Sequence, residues 1–584
     1  MAAVCYTRAN LSEIYCSRNM TEITQRSIPA AAVQHLLDNG CTPALARVFA
    51  ARGITDSQQL DTSLCALLPF DRLKGAHEMA RLLADAIAAH KKILVIADYD
   101  ADGATACAVA LRGLRGFGAQ IGFIVPNRFE YGYGLTPEIV HLASLQRPDI
   151  LLTVDNGIAS VDGVAEANQL GMQVFITDHH LPGDTLPDAA CIVNPNQPDC
   201  TFPDKSLAGV GVMFYVLLAL RAELRTRGQM TENRGQKLVE LLDLVALGTV
   251  ADVVKLDQNN RILVQQGLRR IRAGRACAGI NALLQVARKN PENASSQDLG
   301  FTVGPRLNAA GRLDDMSLGI NCLLTDDAVT ALQIATRLDN LNRERRSIET
   351  NMQDSAQALL EQFNPHDSFS LALFDDSWHQ GVVGILASRL KDKFHRPAIA
   401  FARTNGTDEI KGSGRSIAGL HLRDALDLIS KRHPALIRKF GGHAAAAGLS
   451  IAEADFADFA AAFEQVARNS LSADDLARRI ETDGMLEPNE MSLDVACLLD
   501  EQVWGQGFPA PQFNDSFIVQ NQRVVGEKHL KLRLGTKGKT IEAILFGHND
   551  FLPEQIHAVY SLSVNEYNGT QSLQLIIRHW QNTE

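Results

Sequence analysis

The stretch Ile93-Leu94-Val95-Ile96-Ala97-Asp98-Tyr99-Asp100-Ala101-Asp102-Gly103 decides the fold class. A short apolar run, read as a buried strand, feeds directly into three aspartates spaced two apart. The same grammar recurs downstream. Gln120–Val125 is a second apolar run, Ile150–Val154 runs into Asp155-Asn156-Gly157, and Gln173–Thr177 runs into Asp178-His179-His180. Strands alternating with helical segments predict an α/β domain with a parallel sheet and helices on both faces. Three of the four runs deliver carboxylate or imidazole at their carboxyl ends, the edge where open parallel sheets form their sites.

One aspartate after a strand is commonly a helix cap. Three such clusters, the last carrying His-His, are hard to explain as caps. Carboxylates converging on one edge repel and raise one another's pKa unless a cation offsets them. Hard oxygen donors with imidazole suit Mn²⁺ or Mg²⁺, and the absence of cysteine from the clusters argues against structural zinc. Two such ions about 3.5–4 Å apart activate water and stabilise a leaving oxygen in phosphoester chemistry. Asp252, in Leu247-Gly248-Thr249-Val250-Ala251-Asp252-Val253, is a fourth candidate; its apolar run reads as a strand or as the end of a helix.

Working outward, 584 residues are too many for one core and imply about three or four domains. Residues 1–90 read as a helical segment, with helices over Ala30–Leu37, Pro43–Arg52 and Gly75–His90. The α/β domain covers 91–325. Asp326 to Phe363 carries apolar residues at three-four spacing, predicting one connecting helix of roughly 55 Å within 326–365, ended by Asn364-Pro365. A second, smaller α/β block spans 366–471. In 472–584, five strands between Phe517 and Trp580, with a turn at Asn568-Gly569, fit an OB-like barrel or another small β-barrel.

The composition, 46% hydrophobic and 21% charged, is that of a globular chain, not a disordered or fibrous one. The run Leu207–Leu220 is too short to span a bilayer and reads as a buried helix. Ten scattered cysteines without a Cys-x-x-Cys pair fit reduced thiols, and with no signal-like N-terminus the expectation is a cytoplasmic protein. A net charge of −11 excludes a chain that coats nucleic acid by bulk electrostatics; any such partner must follow a local basic track.

These motifs carry a resemblance. Asp98-x-Asp100-x-Asp102-Gly103, Asp155-Asn156-Gly157, Asp178-His179-His180 and Gly248-Thr249-Val250-Ala251-Asp252 resemble, in order, the motifs of the DHH phosphoesterase family. Gly304-Pro305-Arg306-Leu307-Asn308-Ala309-Ala310-Gly311-Arg312 is similar to a segment of its RecJ-type exonucleases. Gly412-Ser413-Gly414-Arg415-Ser416 and Gly441-Gly442-His443-Ala444 look like the DHH-associated domain. The resemblance implies that Asp100, Asp102, Asp155, His179 and Asp252 hold the two metal ions, with Asp155 bridging and Asp98 ligating directly or through water. It implies that His180 is an acid or transition-state stabiliser.

Ser413, Arg415, Gly442 and His443, read as lying in glycine-rich turns, are candidates to hold a phosphate, and the resemblance implies that it is the terminal 5′-phosphate. Arg312 and Arg128 are further candidates, although a surface salt bridge explains any one arginine as well. Arg337, Arg343, Arg345 and Arg346 on the long helix, and His529, Lys531 and Arg533 on one strand face, suit phosphates or simply solvent.

The function so implied is 5′–3′ exonucleolytic hydrolysis of single-stranded DNA to mononucleotides in repair and recombination. The strand threads between the two α/β domains, in a monomer for which a helicase and a single-strand-binding protein are candidate partners. A DHH enzyme acting on oligoribonucleotides or cyclic dinucleotides is the nearest alternative, and a non-catalytic DNA-binding scaffold a more distant one.

Overall fold

The computed structural model describes residues 21–126, 134–230, 237–360, 368–404, 406–536, 538–567 and 569–583. Arg128, Asn364-Pro365 and Asn568 lie outside these. The described residues form two compact units, one within 26–342 and 482–584, the other within 343–481 with residues 21–25.

The larger unit is built on a five-stranded parallel sheet in the order Gln120–Ile124, Lys92–Ala97, Ile150–Val154, Gln173–Thr177, Cys191–Val193. The second strand stops at Ile124, one residue short of the expected end. Cys191–Val193 is a strand that the sequence reading lacks; three residues are too few to carry a period. Ile93–Ala97 is apolar throughout, and Ile150–Val154 is apolar but for Thr153, because helices cover both faces. Ile93, Val95 and Ala97 enter one core with the helices Ala76–Ala88, Ala101–Gly116 and Gly209–Thr226. Leu94 and Ile96 enter another with Ile139, Val140 and Val164. The apolar run from Leu207 is indeed a buried helix, Gly209–Thr226. Among the described residues no helix is long and apolar enough to cross a membrane.

The barrel belongs to the same unit. Its strands Phe513–Val525, His529–Thr536, Lys539–Phe546, Gln555–Tyr567 and Thr570–Asn582 close on themselves, with one parallel pairing, Lys539–Phe546 against Thr570–Asn582. The segment leading into it packs on the helix Pro43–Ala50 near the other end of the chain. Phe49, Trp504 and Phe508 stack with centroids 5.3–6.2 Å apart. Arg52 pairs with fully buried Asp483 at 2.7 Å, and Arg47 with Glu490 at 2.6 Å.

In the smaller unit the sheet order is Lys439–Gly442, Ala446–Ala452, Glu409–Arg415, Ala398–Arg403, Leu371–Phe374, antiparallel except for the last pair. The N-terminal part is not purely helical: Glu22–Gln25 is a strand paired with Arg479–Thr482. The long helix runs Ala328–Leu360, about 50 Å at 1.5 Å per residue. The division between the units falls within it, after Asn342.

Candidate metal centre and substrate-binding residues

Parallel register aligns the first part of the site. Ala97, Val154, Thr177 and Val193 are lateral partners. The residue after each, Asp98, Asp155, Asp178 and Asn194, therefore falls in one row along the carboxyl edge. Asp155 N donates to Thr177 O at 3.0 Å and Asp178 N to Val193 O at 3.1 Å, which carries the ladder one residue past the strands. Asp155 leaves that ladder at φ +63°, a left-handed conformation uncommon for a residue with a Cβ and characteristic of functional turns.

Helix starts supply the next donors. Asp100 caps Ala101–Gly116, its Oδ1 accepting from Asp102 N (2.9 Å) and Gly103 N (3.0 Å). The cap reading and the ligand reading thus share one residue. Asp102 is fully buried, and the backbone N–H groups of Gly209 and Val210 donate to its two oxygens at 2.7 and 2.9 Å. Position 209 has to be glycine, because a Cβ there would stand 2.5 Å from Asp155 Oδ1. Asp252 follows the helix Leu242–Ala251 directly, so the open question about its apolar run resolves as a helix end.

His179 Nε2 lies 3.1 Å from Asp155 Oδ1, 3.5 Å from Asp252 Oδ2 and 4.0 Å from Asp102 Oδ2. Among the described residues this buried nitrogen has no hydrogen-bond partner. A ring nitrogen facing several carboxylates without hydrogen bonding to them is a donor set for a cation. The donors fall into close groups: Asp98 with Asp100 and Asp155, Asp102 with His179 and Asp252, and Asp155 with His179 and His180. Within each group the ligand atoms lie within 4.8 Å of one another.

The electrostatics agree. Burial, then repulsion from Asp252, pushes the Asp102 carboxyl up to about 7. Burial, then Asp100, pushes Asp252 up to about 7. Asp155 is driven well above the carboxylate range by burial and by Asp102, Asp100, Asp98 and Asp252. His179 is held below its ordinary value, chiefly by burial, which keeps its imidazole neutral. A buried cluster of this charge needs protons or a metal, and neutral imidazole with carboxylate oxygens is a metal's ligand set.

His180 differs from its neighbour. Burial acts to lower its pKa, but the 2.8 Å contact between its Nδ1 and Asp178 Oδ1 outweighs this and raises it to about 9. Asp178 also accepts from His179 N (2.7 Å), His180 N (3.1 Å) and Ile158 N (2.9 Å). Its lone pairs are spent on orienting the His-His segment, a role the sequence reading missed. Also missed were Asn194 and Asn196, whose side-chain amides donate to His180 O (2.9 Å) and His179 O (2.6 Å).

The smaller unit gathers a second group. Ser413 and Arg415 are not in a glycine-rich turn: they lie two apart on the strand Glu409–Arg415 and so face one way. Arg415 Nη1 donates to Ser413 Oγ (3.3 Å) and Gly414 O (2.8 Å), and among the described residues it has no carboxylate partner. Gly442 ends the edge strand, and His443 N donates to Ala446 O at 2.8 Å, closing a true turn. Arg312 occupies the last turn of the helix Gly304–Leu313. Several basic candidates are otherwise engaged: Arg337 with Asp314 (2.6 Å), Arg345 with Glu349 (2.9 Å), and Lys531 and Arg533 each with Glu542 (3.3 Å).

A doubly covered parallel sheet whose carboxyl edge collects six carboxylates and two imidazoles defines a metal-dependent phosphoesterase of the DHH class. Residues 92–249 match the DHH family N-terminal domain, 367–469 the DHHA1 domain and 482–579 the RecJ OB domain. The single-stranded-DNA-specific exonuclease RecJ of Salmonella typhimurium is 48% identical over 92% of this chain and 95% of its own length. That of Dickeya dadantii is 48% identical over 96% and 99%. The crystal structure of Thermus thermophilus RecJ in complex with Mn²⁺ superposes with a TM-score of 0.81 at 32% identity, covering 97% of this chain and 80% of that one. The chain belongs to the RecJ family.

Proposed function

We propose that this chain is a single-stranded-DNA-specific exonuclease that hydrolyses phosphodiester bonds from the 5′ end and releases mononucleotides. The observation that carries the reading is the pair of donor groups with no member in common, Asp98/Asp100/Asp155 and Asp102/His179/Asp252. Two such groups suit two Mn²⁺ or Mg²⁺ ions, and Asp155, 3.1 Å from His179 Nε2, is suited to bridge them. Bound there, the cations supply Lewis-acid charge that lowers the pKa of water and offsets charge building on the phosphate.

The protein's own groups do the positioning. The Gly209 and Val210 N–H groups fix the Asp102 carboxylate, so its remaining lone pairs keep one direction. His180, charged through its contact with Asp178, presents Nε2–H as a donor toward phosphate or a departing oxygen. Ser413, Arg415, Gly442 and His443 of the smaller unit offer a hydroxyl, a guanidinium and an imidazole beside a bare glycine backbone to a terminal phosphate, which sets polarity. Arg312 is a separate phosphate-binding candidate on the larger unit.

The test is digestion of a 5′-phosphorylated, 3′-labelled single strand with Mn²⁺, Mg²⁺ or EDTA. The expected result is a ladder shortening from the 5′ end, abolished by EDTA and absent on blunt duplex. Intact DNA in every condition, with cleavage of a dinucleotide, overturns the substrate assignment.

Asp178→Asn tests the imidazolium. With its amide oxygen in the place of Oδ1 the side chain still accepts from His179 N and His180 N, but it loses the Ile158 N–H and no longer stabilises the charged ring. The alkaline limb of the pH–rate profile is expected to move well below about 9, with kcat reduced roughly 10–100-fold. An unchanged limb removes His180 from the acid role.

A further inference from the structure

The helix Gly304–Leu313 touches the acidic turn without supplying a ligand. Asn308 Oδ1 accepts the backbone N–H of Ala101 at 2.8 Å, between Asp100 and Asp102. Three residues on, Gly311 lies so close to the Tyr99 carbonyl that a Cβ would overlap it. One turn before Asn308, a Cβ built on Gly304 would stand 3.1 Å from the Ala251 Cβ, beside Asp252. Positions 304, 308 and 311 lie on one face at four- and three-residue spacing. One rigid face thus meets both the Asp98–Asp102 turn and the end of the helix that carries Asp252.

We infer that Asn308 is a positioning residue for the metal centre, and that this helix is a strut fixing the spacing between the Asp98–Asp102 turn and Asp252. The inference rests on the proposed metal site and deepens it. The Ala101 N–H is one of the first donors of the helix Ala101–Gly116, left without an intrahelical acceptor, and the cap residue Asp100 spends its Oδ1 on Asp102 and Gly103 instead. Asn308 satisfies the remaining donor from outside, so Asp100 is released from that task and keeps its other oxygen for a cation. Without Asn308 the Asp100 carboxylate is free to rotate toward its own helix and away from the Asp98/Asp100/Asp155 group. The packing at Gly311 sets how far the turn can relax.

The test uses the full chain and three readouts: calorimetric Mn²⁺ binding to metal-free protein without DNA, kcat and KM on a single strand, and thermal stability in EDTA. Asn308→Ala is expected to weaken Mn²⁺ binding about 10–100-fold and to lower kcat similarly, with KM within about twofold. Asn308→Asp keeps the acceptor and is expected to recover most of the Mn²⁺ affinity. Gly311→Ala, which displaces the turn by another route, is expected to reproduce the Mn²⁺ defect.

Mn²⁺ affinity within twofold of wild type in Asn308→Ala overturns the inference. So does a loss of Mn²⁺ binding that scales with lost stability and that Asn308→Asp does not rescue, the mark of a merely structural residue. Wild-type protein that binds no Mn²⁺ and cuts no DNA overturns the proposed function and this inference together; normal wild-type behaviour with a silent Asn308→Ala overturns the inference alone.

Discussion

Asp155→Asn is expected to lower cleavage of single-stranded DNA by at least about 10³-fold while leaving DNA binding intact. Changes to outer-shell groups alone typically cost 10–100-fold, and a shared ligand should cost more. Asparagine is the informative substitution because Asp155 sits at φ +63°, which asparagine tolerates, whereas alanine adds roughly 1 kcal/mol of backbone strain. The same change replaces a carboxyl whose ionisation is disfavoured by burial and by four other aspartates with a neutral amide. The variant should therefore melt higher than wild type in EDTA and lower than wild type in Mn²⁺. Turnover within tenfold of wild type, or the same order of melting in both buffers, removes Asp155 from the ligand set.

Metal removal has a pH signature. In the folded chain Asp102 and Asp252 keep their protons up to about 7, whereas an unfolded aspartate releases its proton near 4. Their contribution is fully present below about pH 4 and is lost as pH rises through 7. His180, raised to about 9, contributes fully below about 6.5 and loses that contribution as pH rises through 9. All three contributions decline in the same direction, so the melting temperature in EDTA should fall from pH 5 to pH 9.

A cation at the site acts oppositely. It stabilises the folded chain by about 2.7 kcal/mol when present at 100-fold its dissociation constant, and its ligands bind it deprotonated. The increment in melting temperature given by Mn²⁺ should therefore grow with pH. Differential scanning calorimetry at pH 5.5 and 8 measures it; an increment equal at both, or larger in acid, rejects the assignment of these carboxylates to the metal centre.

The legible part of the site was the part written in strand order. Asp98, Asp155 and Asp178 each follow an apolar run, and parallel register turns that into a spatial row. Asp178 was legible as a cluster member but not as the orienter of His180, because the sequence does not distinguish an acid that faces a cation from one whose lone pairs its own backbone takes up. Asn194 completes the row but follows a three-residue strand too short to read. The N–H groups of Gly209 and Val210, and the amide of Asn308, reach the acidic turn from more than a hundred residues away. Only packing brings them there. The Ser413–Arg415 pair was found, but its glycines suggested a turn where backbone pairing with Ala446–Gly448 makes a strand.

The stacking of Phe49 on Trp504 and Phe508, and the pairs Arg52–Asp483 and Arg47–Glu490, join parts of the chain more than 400 residues apart. Between the two portions of the larger unit lie residues 343–481. During synthesis at roughly 5–20 residues per second, that intervening stretch occupies about 7–28 s. Throughout it the nascent larger unit lacks residues 482–584, and Phe49 and the Arg52 guanidinium lack Trp504, Phe508 and Asp483. Contacts of such sequence separation also form slowly after release. The completed hydrolase is thus a late product of translation, and the interval before Asp483 and Trp504 emerge is when the chain is most exposed to aggregation and proteolysis.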